Sequence, residues 1–163
     1  PKLATSAYLM GYLTDWEKYN LLPGESNIYF SNTFTGKGYI NTAELTDTLP
    51  VSLGADNSIT VKRERRTDYT SQRLIGSNRV ETLSFLISLR NTKNRSVSVK
   101  LRDQLPLPQN SDITVEAVEL TGGKHNVTTG EIVWDLTVEP RQTKEIILTY
   151  SVKYPKKEKL ILE

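Results

Sequence analysis

Hydrophobic and polar positions alternate along much of this chain, most clearly from Gly130 to Pro155. Ile132, Trp134, Leu136 and Val138 alternate with Val133, Asp135, Thr137 and Glu139. After a polar break at Pro140–Thr143, Ile146, Leu148, Tyr150, Val152 and Tyr154 alternate with Glu145, Ile147, Thr149, Ser151 and Lys153. Successive side chains of a strand point to opposite faces, so each segment reads as a long strand with one apolar and one mostly wet face. Upstream, Leu83, Phe85, Ile87 and Leu89 share one phase, as do Val97, Val99 and Leu101. Ile113, Val115 and Ala117 are in phase with each other, but Val118 and Leu120 are not. A one-residue bulge near Ala117 reconciles the two registers.

The first half carries the same period less cleanly. Ala7, Leu9, Gly11 and Leu13 alternate with Tyr8, Met10 and Tyr12, which predicts a strand covered on both sides. Asp15–Asn20 fits a loop or a single helical turn, and Asn27–Ser31 a short strand. Thr35–Gly38 carries a turn signal, with Tyr39-Ile40 opening the return arm of a hairpin. Thr48–Leu53 is a strand that Pro50 confines to an edge or interrupts. Gly54–Ser58 reads as another turn, followed by a strand from Ile59 whose far end is charged: Lys62, Arg63, Glu64, Arg65 and Arg66. That arm and Ser71–Arg79 are expected to form a charged hairpin that projects from the core. No helical period survives over a long window.

Short strands at roughly ten-residue spacing argue for an all-β, antiparallel sandwich. About five strands follow Arg79, short of the roughly seven of an immunoglobulin-type sandwich. The expectation is therefore one domain over 1–155, immunoglobulin-like in its C-terminal half, with the core at 79–155 completed by 4–78. Residues 156–163 form a tail. The 163 residues suffice for one domain with a real core. A formal net charge of +2 makes no demand for nucleic acid or an acidic membrane. With no cysteine, disulfides, thiolate metal sites and thiol nucleophiles are excluded. No apolar run approaches the roughly 20 residues of a membrane-spanning helix. The chain opens at Pro1 in strand-like sequence and is expected to be a piece of a longer protein.

The ordered blocks TDWEKYNLLPGESNIYF, TGKGYI, DTLPVSLGADNSITVKRE, LIGSNR and VKYP resemble the C-terminal domain of mucoidy inhibitor A-like proteins, over roughly Ala4 to Pro155. The resemblance implies a domain that follows a distinct N-terminal domain and a coiled coil. It implies a mostly bacterial, often exported family with no established catalytic residues. The block GEIVWDLTVEP is similar to a pattern of immunoglobulin-like surface modules.

Candidate chemistry is sparse. Eight of the thirteen aromatics (two Trp, eight Tyr, three Phe) fall before residue 40. Tyr12, Trp16 and Tyr19, beside Asp15, Glu17 and Asn20, suit a sugar-stacking platform; packing between strands is the plainer expectation. Lys62, Arg63, Arg65 and Arg66 are candidates for an anionic ligand, although Glu64 interrupts the run, and a solvated or edge-protecting strand is the alternative. His125, the single histidine, sits in a glycine-rich loop and lacks an evident nucleophile or orienting partner. A carboxylate-dependent hydrolase drawing on Asp15, Glu17, Asp47, Glu64, Asp103 or Asp135 is an alternative that any β-protein offers. Gly54–Ser58 lacks the spacing of a calcium loop. Asn94 and Asn126 head glycosylation-type triplets, which carry no weight in a bacterial protein.

These readings converge on a non-catalytic interaction module without metal or cofactor. Its expected partner is protein, either its own upstream regions or another envelope protein, with polysaccharide as an alternative. No nucleic acid and no membrane insertion of this domain are expected. A periplasmic or envelope location follows from the resemblance.

Overall fold

A computed structural model describes residues 1–2, 4–30, 32–42 and 48–163. The described chain is all-β and antiparallel. Its helical pieces are two 3-10 turns, Trp16–Tyr19 and Thr67–Tyr69. It divides into two compact units, Ser6–Asn57 and the remainder, Pro1–Thr5 with Ser58–Glu163. The strands in chain order are β1 (Ser6–Thr14), β2 (Gly24–Phe30), β3 (Thr33–Ile40), β4 (Thr48–Arg65), β5 (Ser71–Ile75), β6 (Asn78–Asn91), β7 (Val97–Gln104), β8 (Thr114–Glu119), β9 (Lys124–His125), β10 (Glu131–Val138) and β11 (Thr143–Pro155).

In the larger unit, the end of β4 lies beside β6, then β11, then β8, with β5 also on β6. A second sheet runs β7-β10-β9. The alternation of β6 and β11 is realised residue for residue. Leu83, Phe85, Ile87, Leu89, Ile146, Leu148, Tyr150, Val152 and Tyr154 are all buried. The β7-β10-β9 sheet contributes Leu101, Ile132, Trp134 and Val138 to this sandwich core. Each fully buried side chain of this size stabilises the fold by roughly 1.5–3 kcal/mol. Strands β10 and β11 do not pair with each other. The segment between them crosses from one sheet to the other, with Arg141 at φ 57. Asn91, fully buried, ties this crossing down: its Nδ2 donates to the carbonyls of Arg95, Val138 and Glu139. The bulge on β8 falls at Val118, since Tyr150 pairs with Ala117 and Thr149 with Glu119.

The unit Ser6–Asn57 departs further from expectation. Its β2–β3 hairpin turns at Asn32 (φ 61), not at Thr35–Gly38. Gly36 and Gly38 lie inside β3, opposite Ile28 and Ser26. A Cβ on Gly38 would stand 2.8 Å from the Ile28 Cδ1, so the glycine serves close packing. Gly54–Ser58 is likewise no turn: β4 runs unbroken through it, because the ladder overrides local turn preference. The face of β1 bearing Tyr8, Met10 and Tyr12 is exposed, so that strand is not covered on both sides. Among the described residues, Ile28 and Leu49 are the buried hydrophobics of this unit.

The projecting charged hairpin does not form. Lys62–Arg65 pair with Ser88–Phe85 of β6, and β5 follows along the same strand, pairing with residues 78–82. The charged stretch is thus part of the sandwich sheet. Its polarity is accommodated because alternation sends Lys62 and Glu64 to water while Arg63 finds a buried partner.

Candidate functional site

The organising group is Arg63. Strand β4 carries Ile59, Val61 and Arg63 in one phase, and the first two are buried. Arg63 therefore points inward, where its side chain is only 10% exposed. On β7, Asp103 continues the inward phase of Leu101 and has a fully buried side chain. Arg63 Nε donates to Asp103 Oδ2 at 3.0 Å, linking the two sheets. Asp103 Oδ1 accepts from the Gln104 backbone N–H at 2.7 Å. Both carboxylate oxygens are thereby engaged, which suits Asp103 to orienting Arg63 and not to proton transfer. The guanidinium also lies 3.7 Å over the Phe85 ring, which stacks on Tyr150.

The outer side of the guanidinium meets Glu163. Arg63 Nη1 lies 2.6 Å from Glu163 Oε2. Glu163 Oε1 is held by Lys2 Nζ at 2.8 Å and by the Tyr150 hydroxyl at 3.2 Å. Arg65 Nη1 donates to the main-chain oxygen of Glu163 at 2.9 Å. Burial works to raise the Glu163 carboxyl, but Lys2 and Arg63 outweigh it and hold the carboxyl below its ordinary value. The Tyr150 phenol is pushed upward, first by burial and then by the adjacent carboxylate. Arg63 Nη2 is buried and has no hydrogen-bond partner among the described residues.

Of the basic residues singled out from sequence, Arg63 and Arg65 converge on Glu163. Lys62 is exposed on the other face of β4. Arg66 lies beyond the strand, 3.7 Å over the Tyr69 ring. Sequence reasoning missed Lys2, Asp103, Tyr150 and Glu163 as members of one cluster. A signal existed for the central pair: an Arg and an Asp, each extending an apolar inward phase on its own strand.

The aromatics of Ser6–Asn57 are not packed between strands. Tyr12 is 61% and Tyr19 64% exposed, while Trp16 is half-buried in the 3-10 turn. Tyr8, Tyr29, Phe30, Phe34 and Tyr39 are exposed as well. Cross-strand pairing places Tyr29 with Phe34 and Glu25 with Tyr39, so these residues share one face of the β2–β3 hairpin. The Tyr29 and Phe34 rings meet edge-on, centroids 5.6 Å apart.

His125 is half-buried and lies in β9 opposite Ile132, a short strand within the stretch read as a glycine-rich loop. Asp135 is engaged by Lys100 and Lys124, and Asp15 by Lys18. Asp47 lies outside the described residues. Among the described residues, no group of three or more His, Cys, Asp and Glu is placed to hold a metal ion. No described helix is long and apolar enough to cross a membrane.

A family described as a domain of unknown function, DUF4139, matches residues 6–156, and the chain belongs to that family. Protein F37C4.5 of Caenorhabditis elegans is similar to it, 26% identical over 180 residues covering 100% of this chain and 32% of that protein. The chain thus spans about a third of the length of that relative.

Proposed function

We propose that the chain is a non-catalytic interaction module carried by a larger protein of the mucoidy inhibitor A-like kind, associated with the bacterial envelope. The observation that carries the reading is the exposed aromatic surface of Ser6–Asn57, with Tyr29, Phe34 and Tyr39 on one hairpin face. Aromatic rings are enriched at protein interfaces, where they supply large contact area at low entropic cost. The length of the nematode relative supports a setting within a longer chain. The partner is protein, either the parent's own upstream regions or another envelope component. Envelope placement rests on the family resemblance.

The test is co-isolation of partners with the full-length parent, comparing the native sequence with a Tyr29→Ser, Phe34→Ser, Tyr39→Ser variant. The reading requires loss of specific partners with the fold retained, as judged by circular dichroism. An unchanged partner set overturns it. So does substrate turnover that a single carboxylate or His125 substitution abolishes.

The exposure of Tyr12 and Tyr19 supports a second reading, a carbohydrate-binding surface next to Trp16. Quenching of Trp16 fluorescence by an envelope polysaccharide, lost in Trp16→Ala, separates it from the first.

A further inference from the structure

We propose that the Arg63 cluster is a docking site for the acidic side chain of an extended peptide segment, with Glu163 as its occupant in cis. The proposal rests on the reading of the chain as an interaction module and names what one of its surfaces recognises. Three cations, Lys2, Arg63 and Arg65, converge with the Tyr150 hydroxyl on a single residue, Glu163. The central cation is built in advance. Asp103 and the Phe85 ring fix the guanidinium, and its side chain is nine-tenths withdrawn from water. A donor fixed before its ligand arrives loses little freedom on binding, which favours recognition.

Two features define the ligand as a peptide carboxylate. Arg63, Lys2 and Tyr150 take the side-chain carboxylate, while Arg65 takes the main-chain oxygen of the same residue. The guanidinium fork is also only half used. Nη1 meets Glu163, whereas Nη2 is buried without a partner among the described residues. A carboxylate approaching along both terminal nitrogens would make the stronger bidentate pair. Glu163 instead divides its oxygens between Arg63 on one side and Lys2 with Tyr150 on the other, so a differently placed acidic residue can compete with it.

The segment bearing Glu163 is partly withdrawn from water at Glu158, Leu160 and Leu162. Among the described residues, the bonds to its main chain or from it beyond β11 are Lys156 N–H to the Ser77 carbonyl, Glu158 N–H to the Pro155 carbonyl and Arg65 to the Glu163 oxygen. Lys156, Lys157, Lys159 and Ile161 are exposed, Ile161 to 96%. A tethered ligand of this kind competes at an effective concentration of about millimolar, so it shields Arg63 from dilute partners without closing it to strong ones.

The experiment uses the 163-residue chain and its Glu163→Gln variant. The probe is a fluorescein-labelled peptide, Lys-Lys-Glu-Lys-Leu-Ile-Leu-Glu, matching residues 156–163, read by fluorescence anisotropy. The variant should bind the probe at least about tenfold more tightly than the native chain, since the tethered competitor has lost its charge. A probe ending in Gln should bind at least about tenfold more weakly, and Arg65→Ala in the variant should also weaken binding. Equal affinity of native chain and variant, or of the Glu and Gln probes, overturns the proposal. Displacement of the probe by free acetate at the same concentration as unlabelled peptide overturns its peptide part and leaves a simple carboxylate site. None of these results involves Tyr29, Phe34 or Tyr39, so this site can fail while the co-isolation result stands, and the reverse.

Discussion

Gly123 lies so close to Trp134 that a Cβ there would stand 2.5 Å from the indole nitrogen. The same nitrogen donates to the Leu120 carbonyl at 2.6 Å. The loop from β8 to β9 is therefore closed over the indole, and the side chain sealing that end of the core is fixed by a residue without one. Gly123→Ala should destabilise the fold by about 1–3 kcal/mol through overpacking. Urea denaturation followed by circular dichroism measures this. Trp134→Phe removes the two nearest indole atoms and leaves Ile132 Cγ2 at 2.8 Å, so the double variant should fall short of the sum of the single losses without full relief. Strict additivity would refute the contact.

Asn91 has no exposed surface and donates to three main-chain carbonyls, while its Oδ1 accepts from the Lys93 N–H at 2.9 Å. No apolar side chain can replace that set. Asn91→Ala should cost about 2–3 kcal/mol, because buried carbonyls lose a donor. The Lys93 amide should also exchange with solvent faster than in the native chain. Hydrogen exchange read by NMR separates this local opening from global unfolding.

Much of the sandwich was legible in the sequence because its strands have one buried and one wet face. The period of two in β6, β10 and β11 can be satisfied only by such strands, and the phase break in β8 located its bulge. The first half misled for a physical reason. Gly36, Gly38 and Gly54 read as turn residues, yet they occupy strand positions, two of them against neighbouring side chains that a Cβ would crowd. The aromatics there were expected inside because bulk is usually buried, and the unit Ser6–Asn57 leaves most of them outside. The Arg63 cluster was only half legible. Phase placed Arg63 and Asp103 inward, but nothing local brings Lys2 and Glu163, from opposite ends of the sequence, to the same guanidinium.

The phenols of Tyr150 and Tyr154 are both raised, each first by burial, with Glu163 next to one and Glu81 beside the other. A folded-state value above the unfolded one gives a contribution that is complete below the unfolded value of about 10. It declines as pH rises through the folded value, because the unfolded chain ionises first. Stability should therefore fall with increasing pH above about 10. Ultraviolet difference spectroscopy should find two phenols ionising together with loss of the circular dichroism signal. Tyr150→Phe should flatten the decline, and an unchanged slope would exclude Tyr150 as its source.

Arg63 and Asp103 give the sharpest test of how the two sheets are joined. Their charges are withdrawn from water, so the pair regains by attraction what it lost in desolvation, and its net contribution is small. Removing one partner is different: without Arg63 the buried Asp103 carboxylate loses its cross-sheet partner, whereas without Asp103 the guanidinium still meets Glu163 at 2.6 Å. Arg63→Met should destabilise by about 3–5 kcal/mol and Asp103→Leu by less, whereas the double variant, apolar and of similar volume, should lie much closer to the native chain than Arg63→Met does. The Phe85 ring should moderate the loss in Asp103→Leu, because it still faces the guanidinium at 3.7 Å. Urea unfolding of the four chains gives the coupling energy directly. A coupling near zero would mean that the cross-sheet bond holds nothing together, and that the inward phase of these two charges follows from packing alone.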